Sequence, residues 1–116
     1  MKQNLIKDKS FAFAIRIVNL YKYLTNDKKE FVISKQLYRS GTSIGANVHE
    51  ALRAASKKDF SNKMSIALKE ASESEYWLEL LFATSYIDEA QYISLKEDCS
   101  EINKLLIAIV KSSNEK

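Results

Sequence analysis

Hydrophobic residues recur every three or four positions along most of the chain, the spacing of one face of an α-helix. The clearest stripe steps by four and three residues through Phe60, Met64, Ala67, Ala71, Ser74, Leu78, Leu81 and Ser85. The segment before it carries an equivalent stripe of Leu37, Gly41, Ile44, Val48, Ala51 and Ala55. The pattern therefore predicts two long helices that each bury one stripe against partner helices.

The pattern also predicts one helix before this pair and one after it. The last segment carries the stripe Tyr92, Leu95, Cys99, Ile102, Leu106 and Ile109. The first segment is apolar on two faces, one with Phe11, Ala14, Val18 and Tyr21 and one with Phe13, Ile17, Leu20 and Leu24. We predict an all-α four-helix bundle in a single domain, residues 1–116, with helices at about 10–26, 31–55, 57–85 and 88–112.

Three polar residues mark predicted helix starts. Ser10 is a candidate N-cap of the first helix. Ser56 with Asp59 predicts a capping box for the third helix, and Asp88 with Gln91 predicts one for the fourth, since a side chain at each position of such a pair can satisfy a backbone N–H at the other.

Gly41 and Gly45 lie inside the second predicted helix, where each glycine costs about 1 kcal/mol relative to alanine. Either the helix bends there, or another backbone packs closely against it. The chain has no proline, and the apolar phase is unbroken from Leu37 to Ala55. We therefore predict one continuous helix.

The composition excludes several classes of protein and several kinds of site. No apolar run approaches the roughly 20 residues of a membrane span, and the N-terminus has no apolar stretch typical of a signal peptide, so we expect a cytoplasmic protein and no membrane partner.

The single cysteine, Cys99, excludes an internal disulfide and a cysteine-rich zinc site, and its position predicts a small core residue. The single histidine, His49, cannot supply a di-iron bundle site and is predicted at the surface. We expect no metal and no cofactor.

Charge is distributed unevenly. Residues 28–63 hold eight Lys or Arg and three acids, whereas residues 64–101 hold two and nine. The eight cations can form a surface that binds phosphates, largely independently of base sequence and sensitive to salt, or can be ordinary solvated charges. They are Lys28, Lys29, Lys35, Arg39, Arg53, Lys57, Lys58 and Lys63.

A polar strip accompanies the second stripe. Ser43, Asn47 and Glu50 share one helix face, and Glu70, Glu73 and Ser74 offer matching groups on the next helix. Carboxylates that face amides and hydroxyls can be an acid–base site or a hydrogen-bonded network that fixes helix register. We favour the structural network, because no nucleophile, metal ligand set or phosphate-binding loop accompanies the carboxylates, and we predict no catalytic residues.

The outer helices have more apolar surface than one core can cover. Residues 105–110 are apolar on every side, and large exposed apolar patches usually mark contacts. We therefore predict a homo-oligomer built partly on the first and fourth helices. Trp77 either fills the core or anchors this contact. The predicted subunit contacts are Phe13, Ile17, Trp77, Ile107 and Val110.

Two segments resemble a known family. The segments LYRSGTSIGANVHEA (37–51) and DFSNKMSIALKEASESEYWLELL (59–81) are similar to the proteins encoded in 23S ribosomal RNA intervening sequences. The shared pattern falls on Arg39, Ser40, Ser43, Ile44, Asn47 and Glu50. The resemblance implies an antiparallel up-and-down four-helix bundle that assembles into a ring, a pentamer. It also relates the chain to the accessory protein of diversity-generating retroelements, a basic pentamer that binds nucleic acid and its reverse transcriptase.

These observations lead to one hypothesis and two alternatives. The leading hypothesis is a non-enzymatic homo-oligomer that acts as an RNA-associated accessory protein, with the cations as the contact. The first alternative is a scaffold that binds a partner protein and has no nucleic-acid role. An enzyme, the second alternative, requires an open pocket that joins Asn47, Glu50 and Glu70.

Overall fold

The computed structural model describes residues 2–114, with side chains from residue 4, and this part of the chain forms four helices and no strand. They are α1 (Lys2–Asn26), α2 (Ile33–Ala51), α3 (Lys57–Ala83) and α4 (Glu89–Asn114). Each helix packs against the next, and α4 returns to α1. Because the connections are short and the neighbours pack side by side, successive helices are antiparallel. The predicted all-α four-helix bundle is confirmed.

The core consists of the stripes that the sequence predicts. In α2, α3 and α4 the central stripe residues are buried, and Phe60 and Tyr92 are half-buried at the ends. The two exceptions, Ala55 and Ser85, are exposed because they lie beyond the ends of their helices. Cys99 is buried in the core, as predicted.

Helix α1 begins eight residues earlier than the predicted start at residue 10. Ser10 is therefore not an N-cap, and that prediction is wrong. Its side chain is buried inside the helix, where the hydroxyl donates to the Lys7 carbonyl at 3.2 Å. Of the two apolar faces of α1, the one with Phe13 and Ile17 is in the core, whereas Phe11 on the other face is 68% exposed.

The predicted caps of α3 and α4 are confirmed. The Asp59 N–H donates to the Ser56 hydroxyl at 3.0 Å. Asp88 and Gln91 exchange backbone-to-side-chain hydrogen bonds of 2.9 and 2.7 Å. These reciprocal bonds satisfy N–H groups that a helix start leaves without an intrahelical partner.

Helix α2 is shorter than predicted and ends at Ala51 rather than near residue 55. The backbone N–H groups of Arg53 and Ala54 bond three residues back, to Glu50 and Ala51. Such a tight turn closes a helix and leads directly to the cap of α3. The apolar spacing continues for one position past this turn, so spacing alone overestimates the length.

Gly41 and Gly45 lie within a continuous α2, as predicted. A Cβ at Gly41 would lie 2.7 Å from Cγ1 of Ile17, and a Cβ at Gly45 would lie 3.4 Å from the Ser10 carbonyl oxygen. The two glycines therefore allow α1 to pack closely on α2. The close-packing alternative is correct, and the bend is not needed.

Polar contacts fix α1 against α4. Arg16 donates to Asp98 at 2.7 Å and to the Ser94 hydroxyl at 3.0 Å, and Lys9 pairs with Glu101.

Among the described residues, no helix is long and apolar enough to cross a membrane.

Candidate nucleic-acid interface

The eight predicted cations fall into two groups at opposite ends of α2. Lys28, Lys29 and Lys35 surround the connection from α1 to α2, which we name the α1–α2 corner. The second group surrounds the connection from α2 to α3, the α2–α3 corner, and consists of Arg53, Lys57, Lys58 and Lys63. Arg39 is exposed on α2 between them.

The two corners are far apart. Helix α2 has 19 residues, which correspond to about 28 Å at 1.5 Å per residue. The eight residues therefore do not form one compact patch, and their binding of phosphates stays a prediction. The structure instead has two separate cationic corners joined by the length of α2.

At the α2–α3 corner, one cation is neutralised by an acid. Lys63 Nζ lies 2.8 Å from Glu50 Oε1. This hydrogen bond, with the charge of each partner, lowers the pKa of Glu50 and raises the pKa of Lys63. Arg53 Nη1 lies 3.2 Å from His49 Nδ1. His49 is exposed, as predicted. Arg53 and Lys58 are exposed at the same corner, so they carry positive charge there that Glu50 does not neutralise.

At the α1–α2 corner, an aromatic ring accompanies the cations. Phe31 is 58% exposed and Val32 is 73% exposed. Lys28 Nζ lies 5.9 Å from the centroid of the Tyr23 ring. Phe31 and Val32 were not predicted as site residues, because both were placed inside the second helix. The available signal was that neither lies on the apolar stripe that begins at Leu37.

Glu30 gives this corner a defined shape. Its carboxylate accepts hydrogen bonds from the backbone N–H groups of Val32, Ile33 and Ser34 at 3.1, 2.9 and 2.7 Å. Burial raises the pKa of Glu30, but the backbone bonds from Ile33, Ser34 and Val32 outweigh it and hold that pKa below the ordinary value of 4.5. Glu30 is thus an anionic cap at the positive end of α2, and the sequence analysis did not identify it.

The predicted polar network does not form. Ser43 donates to the Arg39 carbonyl at 2.6 Å, and Asn47 donates to the Ser43 carbonyl at 2.8 Å, so both bond their own helix. Glu50 is paired with Lys63, and Glu73 accepts from Trp77 Nε1 at 3.1 Å. Ser43, Asn47 and Glu73 therefore bond within their own helices, whereas Glu50 contacts Lys63 on α3, and these contacts are not joined into one network.

Two buried serines connect α2 and α3 instead. The hydroxyls of Ser40 and Ser74 lie 2.9 Å apart, and Ser74 also lies 2.9 Å from the Glu70 carbonyl. Both side chains are buried. Ser40 was part of the family pattern, and Ser74 was part of both the stripe and the predicted polar strip, but neither position by itself indicated that the two would meet.

A second polar contact that the sequence analysis missed connects α3 and α4. Asn103 Nδ2 donates to Glu75 Oε1 at 2.8 Å. Among the described residues, Asn103 Oδ1 is a buried side-chain acceptor without a hydrogen-bond partner. Nearby, burial raises the pKa of the Cys99 thiol to about 12, with further contributions from Glu75 and Asp98. Cys99 therefore stays a thiol at neutral pH and is not a nucleophile.

Two of the five predicted subunit contacts, Phe13 and Ile17, are wrong. Phe13 and Ile17 are each 1% exposed within one subunit, so they belong to its own core and cannot contact another copy. Trp77 and Val110 are half-buried against the core, and Ile107 is 55% exposed.

The exposed apolar surface of α1 lies elsewhere. Phe11 and Ile15 line an open groove of about 650 Å³ between α1 and α2, together with Gly45, Ala46 and His49. The sequence analysis placed Phe11 on one of the two apolar faces of α1, but only the structure shows that this face is the one left uncovered.

Comparison with known proteins decides the family. The sequence model of the family described as 23S rRNA-intervening sequence protein matches residues 2–108. The chain belongs to this family. The predicted resemblance is therefore confirmed over nearly the whole chain.

A solved structure supports the fold of this intervening-sequence family member. It is a crystal structure of a protein with unknown function from the S23 ribosomal protein family of Bacteroides thetaiotaomicron. The two chains share 65% sequence identity with a TM-score of 0.94, over 96% of this chain and 99% of that one. The search of curated proteins found no match.

Proposed function

We propose that this protein is a non-enzymatic homo-oligomer that associates with RNA as an accessory protein of the 23S rRNA intervening-sequence type. The observation that carries the proposal is the concentration of positive charge. Residues 2–63 hold thirteen Lys or Arg and five Asp or Glu, whereas residues 64–114 hold four and nine. The cationic part includes both corners.

The two corners fit a polyanion better than a small anion. They are separated by about 28 Å along α2, which corresponds to roughly eight base pairs of duplex DNA at 3.4 Å per phosphate of one strand, and an RNA segment of comparable length would also span it. A nucleic acid long enough to reach both corners would gain contacts at each end. Binding of this kind neutralises phosphates and weakens steeply as salt is added.

A gel-shift series with structured RNA at increasing salt tests the RNA association. Charge reversal of Arg53 and Lys58 should weaken binding and reduce its salt dependence. The matched control reverses Lys69 and Lys104, which are exposed and lie in the acidic part of the chain, and should change binding much less. Binding that is absent, independent of salt, or equally weakened by both double variants would contradict the proposal.

The groove between α1 and α2 supports the homo-oligomer. An isolated subunit would leave Phe11 and Ile15 in water, although contiguous apolar patches usually mark contacts. Residues 2–63 are mainly cationic and residues 64–114 are mainly acidic. Two copies therefore attract each other most when the cationic part of one contacts the acidic part of the next. A heterologous contact of this kind generates a ring if the rotation closes. A ring of five is the assembly that the family resemblance implies.

Light scattering on the purified protein tests the assembly. The Phe11→Ser substitution should lower the number of subunits, whereas Val32→Ser, which removes an equally exposed apolar group outside the groove, should not. A wild-type chain that is monomeric in dilute solution would contradict the homo-oligomer. If the protein remains oligomeric and binds no RNA, the groove instead favours a protein-binding scaffold without a nucleic-acid role.

The proposal includes no catalytic role. The enzyme alternative requires Asn47, Glu50 and Glu70 in one open pocket. Glu50 is paired with Lys63, and Asn47 bonds the backbone of its own helix. These contacts of Glu50 and Asn47 support a structural role for the two residues.

A further inference from the structure

The α1–α2 corner combines an exposed aromatic ring with lysines on both sides in the sequence. Lys28 and Lys29 precede Phe31 by three and two residues, and Lys35 follows it by four. All three lysines are exposed. Positive charge alone attracts any phosphate backbone, but an exposed ring adds a flat apolar surface, and this combination is typical of proteins that bind single-stranded nucleic acid.

The corner holds Phe31 in one place. The backbone on its C-terminal side is fixed by the three hydrogen bonds that the Glu30 carboxylate accepts. On its N-terminal side, the Glu30 N–H donates to the Leu24 carbonyl at 2.9 Å. Lys29 adopts a positive φ of 55°, a left-handed conformation that non-glycine residues seldom adopt. Phe31 is therefore exposed on a rigid turn and does not belong to a loose loop.

The acids of this corner do not cancel its charge toward a ligand. The Glu30 carboxylate is buried and occupied by three backbone donors. Asp27 is the other acid in the connection and is exposed. Against these, Lys28, Lys29 and Lys35 face solvent, and Arg39 is exposed one helical turn further along α2.

The other cationic corner lacks this combination. Arg53, Lys57 and Lys58 lie next to Phe60, which is half-buried against the core. Its ring is therefore less available to a base than that of Phe31, which is 58% exposed. Both corners carry charges that can attract phosphates, but the α1–α2 corner adds a largely exposed ring.

We propose that the α1–α2 corner binds a single-stranded segment of nucleic acid, with an unpaired base stacked on Phe31 and its phosphates near Lys28, Lys29 and Lys35. This inference rests on the proposed RNA association and specifies which kind of segment this corner takes. An anionic membrane is a poorer fit, because interfacial anchoring needs a long apolar helix face, whereas Lys35 and Arg39 continue from Phe31 and Val32 along α2.

The experiment compares binding of a labelled 12-nucleotide unpaired oligonucleotide with that of a duplex of the same length, by fluorescence anisotropy at low salt. Phe31→Ala should weaken binding of the single strand about 5- to 150-fold, the range for loss of one base–aromatic stack of 1–3 kcal/mol. It should leave duplex binding nearly unchanged. Val32→Ala is the matched control, since it removes an exposed neighbour that has no ring, and it should leave both affinities close to wild type. Phe31→Trp should restore binding of the single strand.

The possible results separate this inference from the proposed function. If the duplex binds and the Arg53 and Lys58 reversal weakens it, but Phe31→Ala has no selective effect on the single strand, the RNA association stands and the stacking site is wrong. If neither nucleic acid binds the wild-type protein, both are wrong. If Phe31→Ala changes the number of subunits, or its main loss is of binding to anionic lipid vesicles, the corner serves another contact and the stacking site is again wrong.

Discussion

The Ser74 hydroxyl on α3 lies 2.9 Å from the Ser40 hydroxyl on α2, and both side chains are buried. The pair is a polar link within an otherwise apolar contact between two helices. Ser74 also reaches the Glu70 carbonyl at 2.9 Å, and Ser40 reaches the Leu37 carbonyl at 3.4 Å. Each hydroxyl therefore has one partner on its own helix and one on the other.

This pair should behave as a coupled unit. Ser40→Ala or Ser74→Ala should each lower the free energy of unfolding by about 1 kcal/mol, the net value of a buried hydrogen bond. The double variant should lose less than the sum, because the second substitution removes a hydroxyl that the first has already left with one partner fewer. Urea unfolding of the four proteins measures this coupling. Ser43→Ala, on the exposed side of α2, is the control and should change stability by less than about 0.5 kcal/mol. Strictly additive losses would show that the two hydroxyls do not interact.

The two glycines of α2 should respond to alanine with opposite signs. Alanine at either position gains about 1 kcal/mol of helix propensity. At Gly41 the new Cβ would lie 2.7 Å from Cγ1 of Ile17, and the branched side chain has little freedom to move away. Overpacking of this kind costs about 1–3 kcal/mol, so Gly41→Ala should destabilise the protein. At Gly45 the nearest atom is at 3.4 Å, an ordinary contact, so Gly45→Ala should be stabilising.

Thermal unfolding of both glycine variants measures the difference. A third protein that combines Gly41→Ala with Ile17→Ala separates the clash from other causes, because the smaller side chain removes the obstructing atoms. In that background the penalty for alanine at position 41 should largely disappear. A destabilised Gly45→Ala protein would show that α1 tolerates no added volume along α2.

Glu30 should make stability depend on pH in the acidic range. Its folded-state pKa lies below the ordinary value of 4.5, so its ionised form stabilises the fold at pH values above the unfolded pKa. This contribution is lost as the pH falls through the folded-state pKa. At neutral pH, Glu30→Gln should lower the free energy of unfolding by about 1 kcal/mol, the typical value of a helix cap.

Unfolding curves between pH 7 and pH 3 measure the Glu30 contribution. The difference between wild type and Glu30→Gln should shrink toward the acidic end, where the carboxylate becomes protonated. Asp27→Asn is the matched control on the same connection, since Asp27 is exposed and accepts no comparable set of backbone bonds. A constant difference between wild type and Glu30→Gln across this range would mean that the charge of Glu30 is not what stabilises the cap.

Replacing Ser85 with glycine should stabilise the protein. It adopts a positive φ of 68° directly after α3, where the Tyr86 N–H donates to the Leu81 carbonyl at 2.9 Å. This arrangement usually contains glycine, because glycine has no Cβ to strain. Ser85→Gly should raise the free energy of unfolding by up to about 1 kcal/mol. Thr84→Gly is the control: its φ of −100° suits any residue, so glycine there should be neutral or destabilising. Thermal unfolding of both variants measures the two changes in stability.

The sequence by itself determined the number of helices, the buried stripes of α2, α3 and α4 and two of the helix starts. These features are local: the step from Met64 to Ala67 and Ala71, or the pair Asp88 and Gln91, is decided by neighbours within a turn or two of the same helix. Buried stripes and capping boxes can therefore be identified without knowing where the other helices lie. The family could be identified in the same way, since its pattern lies within α2 and α3.

Only the tertiary structure decided which groups come together. The eight cations are close in sequence, but the length of α2 separates them into two corners. Both apolar faces of α1 fit a core, and packing buries Phe13 and Ile17 while it leaves Phe11 exposed. In the sequence, Glu30 resembles any surface acid. Only the structure shows that its carboxylate accepts hydrogen bonds from three backbone N–H groups at the start of α2. Each outcome depends on distances between segments and on which face a neighbour covers, and the spacing of residues along one chain contains neither.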